Sequence, residues 1–243
     1  DVGIVRVTHF ISNSGDALQD ALDKIFKKLN YRVAGLILDL RNNPGGLLDQ
    51  SIEVAGLFLS KGEIVSVRSR LGKSRGYSAG SGDHTNGLPI VVLINRGSAS
   101  ASEIVAGALQ DHGRATVMGT RSFGKGSVQT IAPLNWDGAL RLTTALYYLP
   151  SGRTIQGSGV EPDIEIANPS AIKSEGLEGK LPNAIKLENP VINRKARYKI
   201  VEGNCPRAGK DGNDKVLGCA LLMLQSGSER KFLTLMEHRS RKY

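Results

Sequence analysis

Short apolar runs alternate with stretches of helical periodicity along most of this chain. Gly3–Val7 reads as a strand, and Ser14–Leu29 places Leu18, Leu22, Ile25 and Leu29 on one helical face. The apolar run that starts at Leu36 ends in Asn-Asn-Pro-Gly-Gly at Gly46, the pattern of a buried strand that delivers a loop at a sheet edge. A helix predicted behind that loop buries Leu48, Ile52, Ala55 and Leu59. Strands follow at Glu63–Arg68 and Ile90–Ile94, separated by the polar, glycine-rich stretch Gly72–Gly87, which suits a loop beside a substrate channel or a hairpin tip. After a helix near Ser100 come further strands at Ala115–Met118, Ser127–Ile131 and Leu140–Leu149. This alternation predicts an α/β fold, a sheet with helices packed on its faces.

From Ala167 onward the pattern loosens into connections rich in Pro, Asn and Lys, and helices are predicted again at Asp214–Gln225 and Ser228–His238. The expected organisation is a core over residues 1–170 and a C-terminal extension over 171–243. Charge divides along the same line: residues 1–170 hold 17 of the 32 Lys and Arg and 15 of the 23 Asp and Glu, so the extension carries seven of the nine net positive charges. Aromatic content is only 5% and the basic run RKARYK is short, so a solvated surface is expected rather than a nucleic-acid face. No apolar run has membrane-spanning length. No signal peptide is seen, but the chain begins at Asp1 rather than Met, so that says nothing about compartment. Two cysteines, Cys205 and Cys219, fit either a stapling disulfide or independent thiols.

The chemistry concentrates between residues 95 and 129. Ser98, Ser100 and Ser102 alternate with alanines ahead of Ile104, Val105, Ala108 and Leu109, which recur at helical spacing. A serine there can serve simply as an N-cap. It can also present a nucleophile, since free helix amides and the positive dipole end favour developing negative charge. Lys125 lies between Gly124 and Gly126. A lysine acts as a base only in its neutral form, which burial against apolar groups favours; the alternative is a solvated loop lysine. Gln129, four residues on in a predicted strand, falls on the face that could orient the Lys125 amine. His9, His84, His112 and His238 sit in no motif that presents them as a triad base. GTRSFGKG approaches a phosphate-binding loop, but an extended segment follows it where a helix is required. No spacing suited to a metal is present, and no metal or cofactor is expected.

The segment resembles the active-site region of the carboxy-terminal processing peptidases, or tail-specific proteases, which are serine–lysine endopeptidases. In that family the nucleophile is the middle serine of a SASAS-type run, the base lysine stands 25 residues later in an FGKG turn, and a glutamine comes four after it. Ser100, Lys125 and Gln129 match each step. The resemblance implies an acyl-enzyme mechanism on polypeptides, near C-terminal or unstructured tails, with the Gly46 and Ala101 amides as oxyanion donors. It also places an aspartate at Asp111, about 16 Å along the helix from Ser100 and so fit for support only. It covers residues 3–166 and implies the ββα spiral core shared with crotonase and Clp-type proteases, an extracytoplasmic location and a polypeptide partner. Members usually carry a PDZ domain before the core, to which no segment here corresponds; an oligomer is compatible. The contrasting implication is a non-catalytic module on the same core that binds lipophilic ligands or peptides.

Overall fold

Strands β2 (Gly35–Asp39, GLILD) and β5 (Ile90–Ile94, IVVLI) are buried at every position, as continuous apolar runs are in a parallel sheet covered on both faces. The structure is a computed structural model that describes residues 1–70, 72–80, 82–134, 138–168 and 195–240. Around β2 and β5 stands a six-stranded sheet in the order β1-β2-β5-β6-β9-β10, parallel throughout. Its other strands are β1 (Val2–Arg6), β6 (Thr116–Gly119), β9 (Ile164–Ala167) and β10 (Tyr198–Val201). A second, antiparallel sheet of four strands runs β4-β3-β8-β7. Its strands are β3 (Glu63–Ser69), β4 (Ser74–Ser78), β7 (Ser127–Leu134) and β8 (Gly138–Tyr148). Strand β4 corrects part of one expectation: the polar stretch from Gly72 is not all loop, because its first residues pair with β3.

Alternation along the parallel strands divides the interior in two. Leu36, Leu38, Ile90, Val92, Ile94 and Val117 face a core closed by α1 (Ser14–Lys28), α2 (Leu48–Gly56) and α3 (Ala101–Asp111). Ile37, Val91, Leu93 and Met118 point the other way, into a core closed by α4 (Lys215–Gln225) and α5 (Glu229–Ser240). Residues 195–240 therefore add a strand to the main sheet and cover its second face. The boundary expected at 170 lies outside the described residues. Within the second layer a disulfide joins Cys205 to Cys219. No described helix is long and apolar enough to cross a membrane.

The buried stripe of α2 is wider than the one expected: Ala55 and Leu59 are buried as expected, and Leu48 and Ile52 pack against the same core. Gln50, Ser51, Val54 and Ala55 face inward, while Leu48 and Ile52 are only half-buried. Gln50 is satisfied across the fold, its amide oxygen accepting a hydrogen bond from the Gly15 amide at 3.0 Å, and Ser51 locally, its hydroxyl donating to the Leu48 carbonyl three residues back. Two polar side chains satisfied in this way can occupy core positions that an apolar periodicity would not assign to them.

Candidate active site

Strand β5 leaves the sheet through Asn95–Ala99 and turns sharply into α3 at Ser100, whose φ of 56° and ψ of −115° are sparsely populated for a residue with a side chain. Such a conformation costs on the order of 1–3 kcal/mol and persists only where the surroundings impose it. The three serines of the turn separate here. Ser98 is buried, with its hydroxyl donating to the Leu40 carbonyl at 2.9 Å and accepting from the Asn95 amide. Ser102 is buried and donates to the Asn43 carbonyl at 2.9 Å. Ser100 is half-buried; its hydroxyl caps α3 by accepting from the Glu103 amide in a capping box, and it donates to none of the described residues.

Behind the turn lies Glu103, fully buried one helical turn into α3. One carboxylate oxygen accepts the Ser100 amide and the Lys125 amide, each at 2.8 Å. The other accepts the Gly124 amide at 2.7 Å and the Ser122 hydroxyl at 2.5 Å. The backbone nitrogens of Ser100 and Lys125 thus lie no farther apart than twice 2.8 Å. Burial is the largest influence on the Glu103 carboxyl and pushes its pKa above the usual range, while these four donors pull it back toward the carboxylate. The loop from Ser122 to Gly126 is also held on its far side, by Gly126 donating to the Gln156 side chain and Gly157 to the Gly124 carbonyl. It leads into strand β7 rather than a helix, so it is no phosphate loop.

Gly45 and Gly46 have φ of 103° and 145°, a region open to glycine. A Cβ on Gly45 would lie 2.8 Å from the Ser100 Cβ, and one on Gly46 would fall 2.0 Å from the Phe10 carbonyl oxygen. The loop can pass between these two neighbours only without side chains. Asn43 shapes it. The Asn43 side-chain oxygen accepts the Gly45 amide at 2.9 Å and its NH2 donates to the Val7 carbonyl, while its own carbonyl accepts the Ala99 amide and the Ser102 hydroxyl. The amides of Gly46 and Ala101, in contrast, have no hydrogen-bond acceptor among the described residues.

The remaining candidates are less closely joined. Lys125 is half-buried and its amine makes no hydrogen bond to a described residue, the Ser100 hydroxyl included. Gln129 is exposed on β7, paired with Thr143 beside a register shift, and it too has no such bond. Asp111 ends α3 away from Ser100, where it pairs with Arg153 at 3.0 Å and accepts the Ser151 amide. His84 pairs with Asp23 and His112 with the Glu63 carbonyl.

Sequence reasoning passed over Glu103 and Asn43. Glu103 carries a local signal: Ser100-Ala-Ser-Glu103 has the spacing of a capping box, and the Glu103 side chain does return to the Ser100 amide. Its second pair of partners, 19 and 21 residues away, has no such signal.

The site is thus built on an α/β core in which a parallel sheet delivers a strained serine turn beside a Gly-Gly loop. The model for peptidase family S41 matches residues 1–166, and the chain belongs to that family. It is 56% identical over 180 residues to a carboxy-terminal-processing protease of Bartonella bacilliformis, covering 73% of this chain and 42% of that protein. Against a chloroplastic C-terminal processing peptidase of Tetradesmus obliquus it is 40% identical, covering 73% of this chain and 37% of the other. Among solved structures, a photosystem II D1 C-terminal processing protease superposes with a TM-score of 0.64 at 41% identity, over 68% of this chain and 42% of that one. The chain thus spans about two fifths of the length of these relatives.

Proposed function

We propose that this chain forms the catalytic core of a serine endopeptidase that cleaves polypeptides near C-terminal or unstructured tails, with Ser100 as nucleophile and Lys125 as general base. The observation that carries this reading is the convergence on Glu103, which draws the Ser100 and Lys125 backbones together, beside a Ser100 hydroxyl that donates to no described residue and Gly46 and Ala101 amides with no acceptor among them. The Lys125 amine takes the Ser100 proton as the hydroxyl oxygen attacks the peptide carbonyl. The Gly46 and Ala101 amides receive the oxyanion, where preorganised donors are most effective. Lys125 then protonates the leaving amine, and water, activated by the same lysine, releases the acyl group. Because the Lys125 side chain makes no hydrogen bond to a described residue, swinging it onto Ser100 breaks none. Gln129 is assigned to steady that amine, and Asp111 to hold the far end of α3. The named functions of the relatives support the substrate class, and the Cys205–Cys219 disulfide suits an oxidising location outside the cytoplasm.

A serine-directed fluorophosphonate probe and a protein substrate with an apolar C-terminal tail test the reading together. Labelling is expected at Ser100 alone, and Ser100→Ala and Lys125→Ala are each expected to lower cleavage by at least about 10⁴-fold with folding intact. Cleavage that survives in either variant would overturn the assignment.

A further inference from the structure

The loop that carries Gly46 begins at Arg41, and the Arg41 guanidinium holds two carboxylates at once. Its Nε and Nη2 donate to Asp39 at 2.8 and 2.7 Å. Nη1 and Nη2 donate to Asp214 at 2.9 and 2.7 Å, from a residue 173 positions away in the sequence. Both contacts are two-point forks, the geometry that fixes a guanidinium in orientation as well as in place. Asp214 is itself held. Its side chain caps α4 by accepting the Leu217 amide, and its backbone exchanges hydrogen bonds in both directions with Ala208. The Cys205–Cys219 disulfide closes the chain around it, tying the start of that loop to the helix Asp214 caps.

We propose that Asp214 is a positioning residue for the peptidase site: it clamps Arg41, and through it the 42–46 loop, and the disulfide keeps Asp214 in reach. This rests on the assignment of Gly46 as an oxyanion donor. The path is continuous. Arg41 is followed by Asn42, whose amide donates to the Asn95 side chain, and by Asn43, which bonds Gly45 on one side and both Ala99 and Ser102 on the other. A displaced Arg41 therefore shifts the oxyanion amide relative to the nucleophile, and a misplacement of about 1 Å can cost on the order of 10²-fold in rate. On this view the segment beyond the family match is part of the site, and its oxidation state sets activity.

Asp214→Asn in the full-length protein separates this role from a structural one, because asparagine caps a helix as well as aspartate does but cannot pair with the guanidinium as an ion. The expected result is kcat lower by about ten- to a hundredfold, KM changed by less than about threefold, and faster amide hydrogen exchange at 42–46 with α4 unaffected. The Cys205→Ala/Cys219→Ala pair should show the same pattern, and combining it with Asp214→Asn should add little, since both act through one link. Unchanged kcat and unchanged exchange at 42–46 in both variants would overturn the proposal, and losses that multiply would remove the disulfide from it. Wild-type protein that neither labels nor cleaves would sink the peptidase reading instead, while exchange at 42–46 would still decide whether Asp214 holds the loop.

Discussion

Ser100 caps α3 in the turn that follows β5, a strand buried on both faces of the parallel sheet, whereas Lys125 precedes β7, the edge strand of a hairpin that leaves Ile131, Leu134, Leu140 and Leu142 exposed. The serine turn is fixed from three directions, by Leu40 through Ser98, by Asn43 through Ala99 and Ser102, and by Glu103. The lysine loop is joined to that turn by Glu103 and by one backbone bond from Phe123 to Ser98, and is held on its other sides by the 154–160 loop and by the Tyr147 amide on the Gly126 carbonyl. Under the proposed dyad the two halves would have separate tasks: the sheet would set where a carbonyl is attacked, and one buried carboxylate where the base stands.

The sharpest way to break this comparison is Glu103→Gln. The substitution keeps the shape but turns an amide NH2 toward two of the four donors, costing about 1–3 kcal/mol of stability. Turnover is expected to fall by about 10²-fold as the lysine loop drifts. Hydrogen exchange should speed at 122–126 and stay slow in β5; faster exchange in β5 would show that the halves are not separable. A smaller effect on the serine half comes from Gly45→Ala. Its Cβ would press on the Ala99 carbonyl and the Ser100 Cβ at a positive φ, so stability should fall by about 1–3 kcal/mol and cleavage by about tenfold, with exchange at 122–126 unmoved.

Acid provides the mildest test, at the clamp on the serine half. Burial is the largest single influence on Asp214 and raises its pKa, but the bonds from Arg41 and Leu217 and the charges of Arg41 and Arg6 outweigh it and hold the pKa below the usual carboxylate value. A carboxylate depressed in the folded state adds stability that is present above its unfolded value, near pH 4, and lost as pH falls through the folded one. Thermal melts below about pH 4 should therefore fall more steeply for wild type than for Asp214→Asn. Parallel curves would argue that the Arg41 clamp adds nothing to the fold.

Much of this architecture could be read from residue order. The runs GLILD and IVVLI are apolar enough to be buried strands, Asn-Asn-Pro-Gly-Gly announces a turn, and the Ser100 to Lys125 interval is a matter of counting. These signals are local, because hydrophobic period and turn chemistry depend on neighbours a few residues away. Strand β4 was hidden in a polar stretch because an edge strand of a small sheet can be exposed on both sides, and its pairing with β3 comes from the hairpin rather than from any apolar alternation.

Tertiary structure decided the rest. Three serines of one turn look alike in sequence, and only the approach of Leu40 and Asn43, about 60 residues earlier, uses up two of their hydroxyls. Glu103 meets Ser122, Gly124 and Lys125, Asp214 meets Arg41, and Cys205 meets Cys219 because the chain doubles back, and no periodicity encodes those meetings. The chain by itself determined which polar residues stand in the turns; folding chose which of them are satisfied by distant partners and which are not, since a buried polar group must find its partner wherever the backbone brings one.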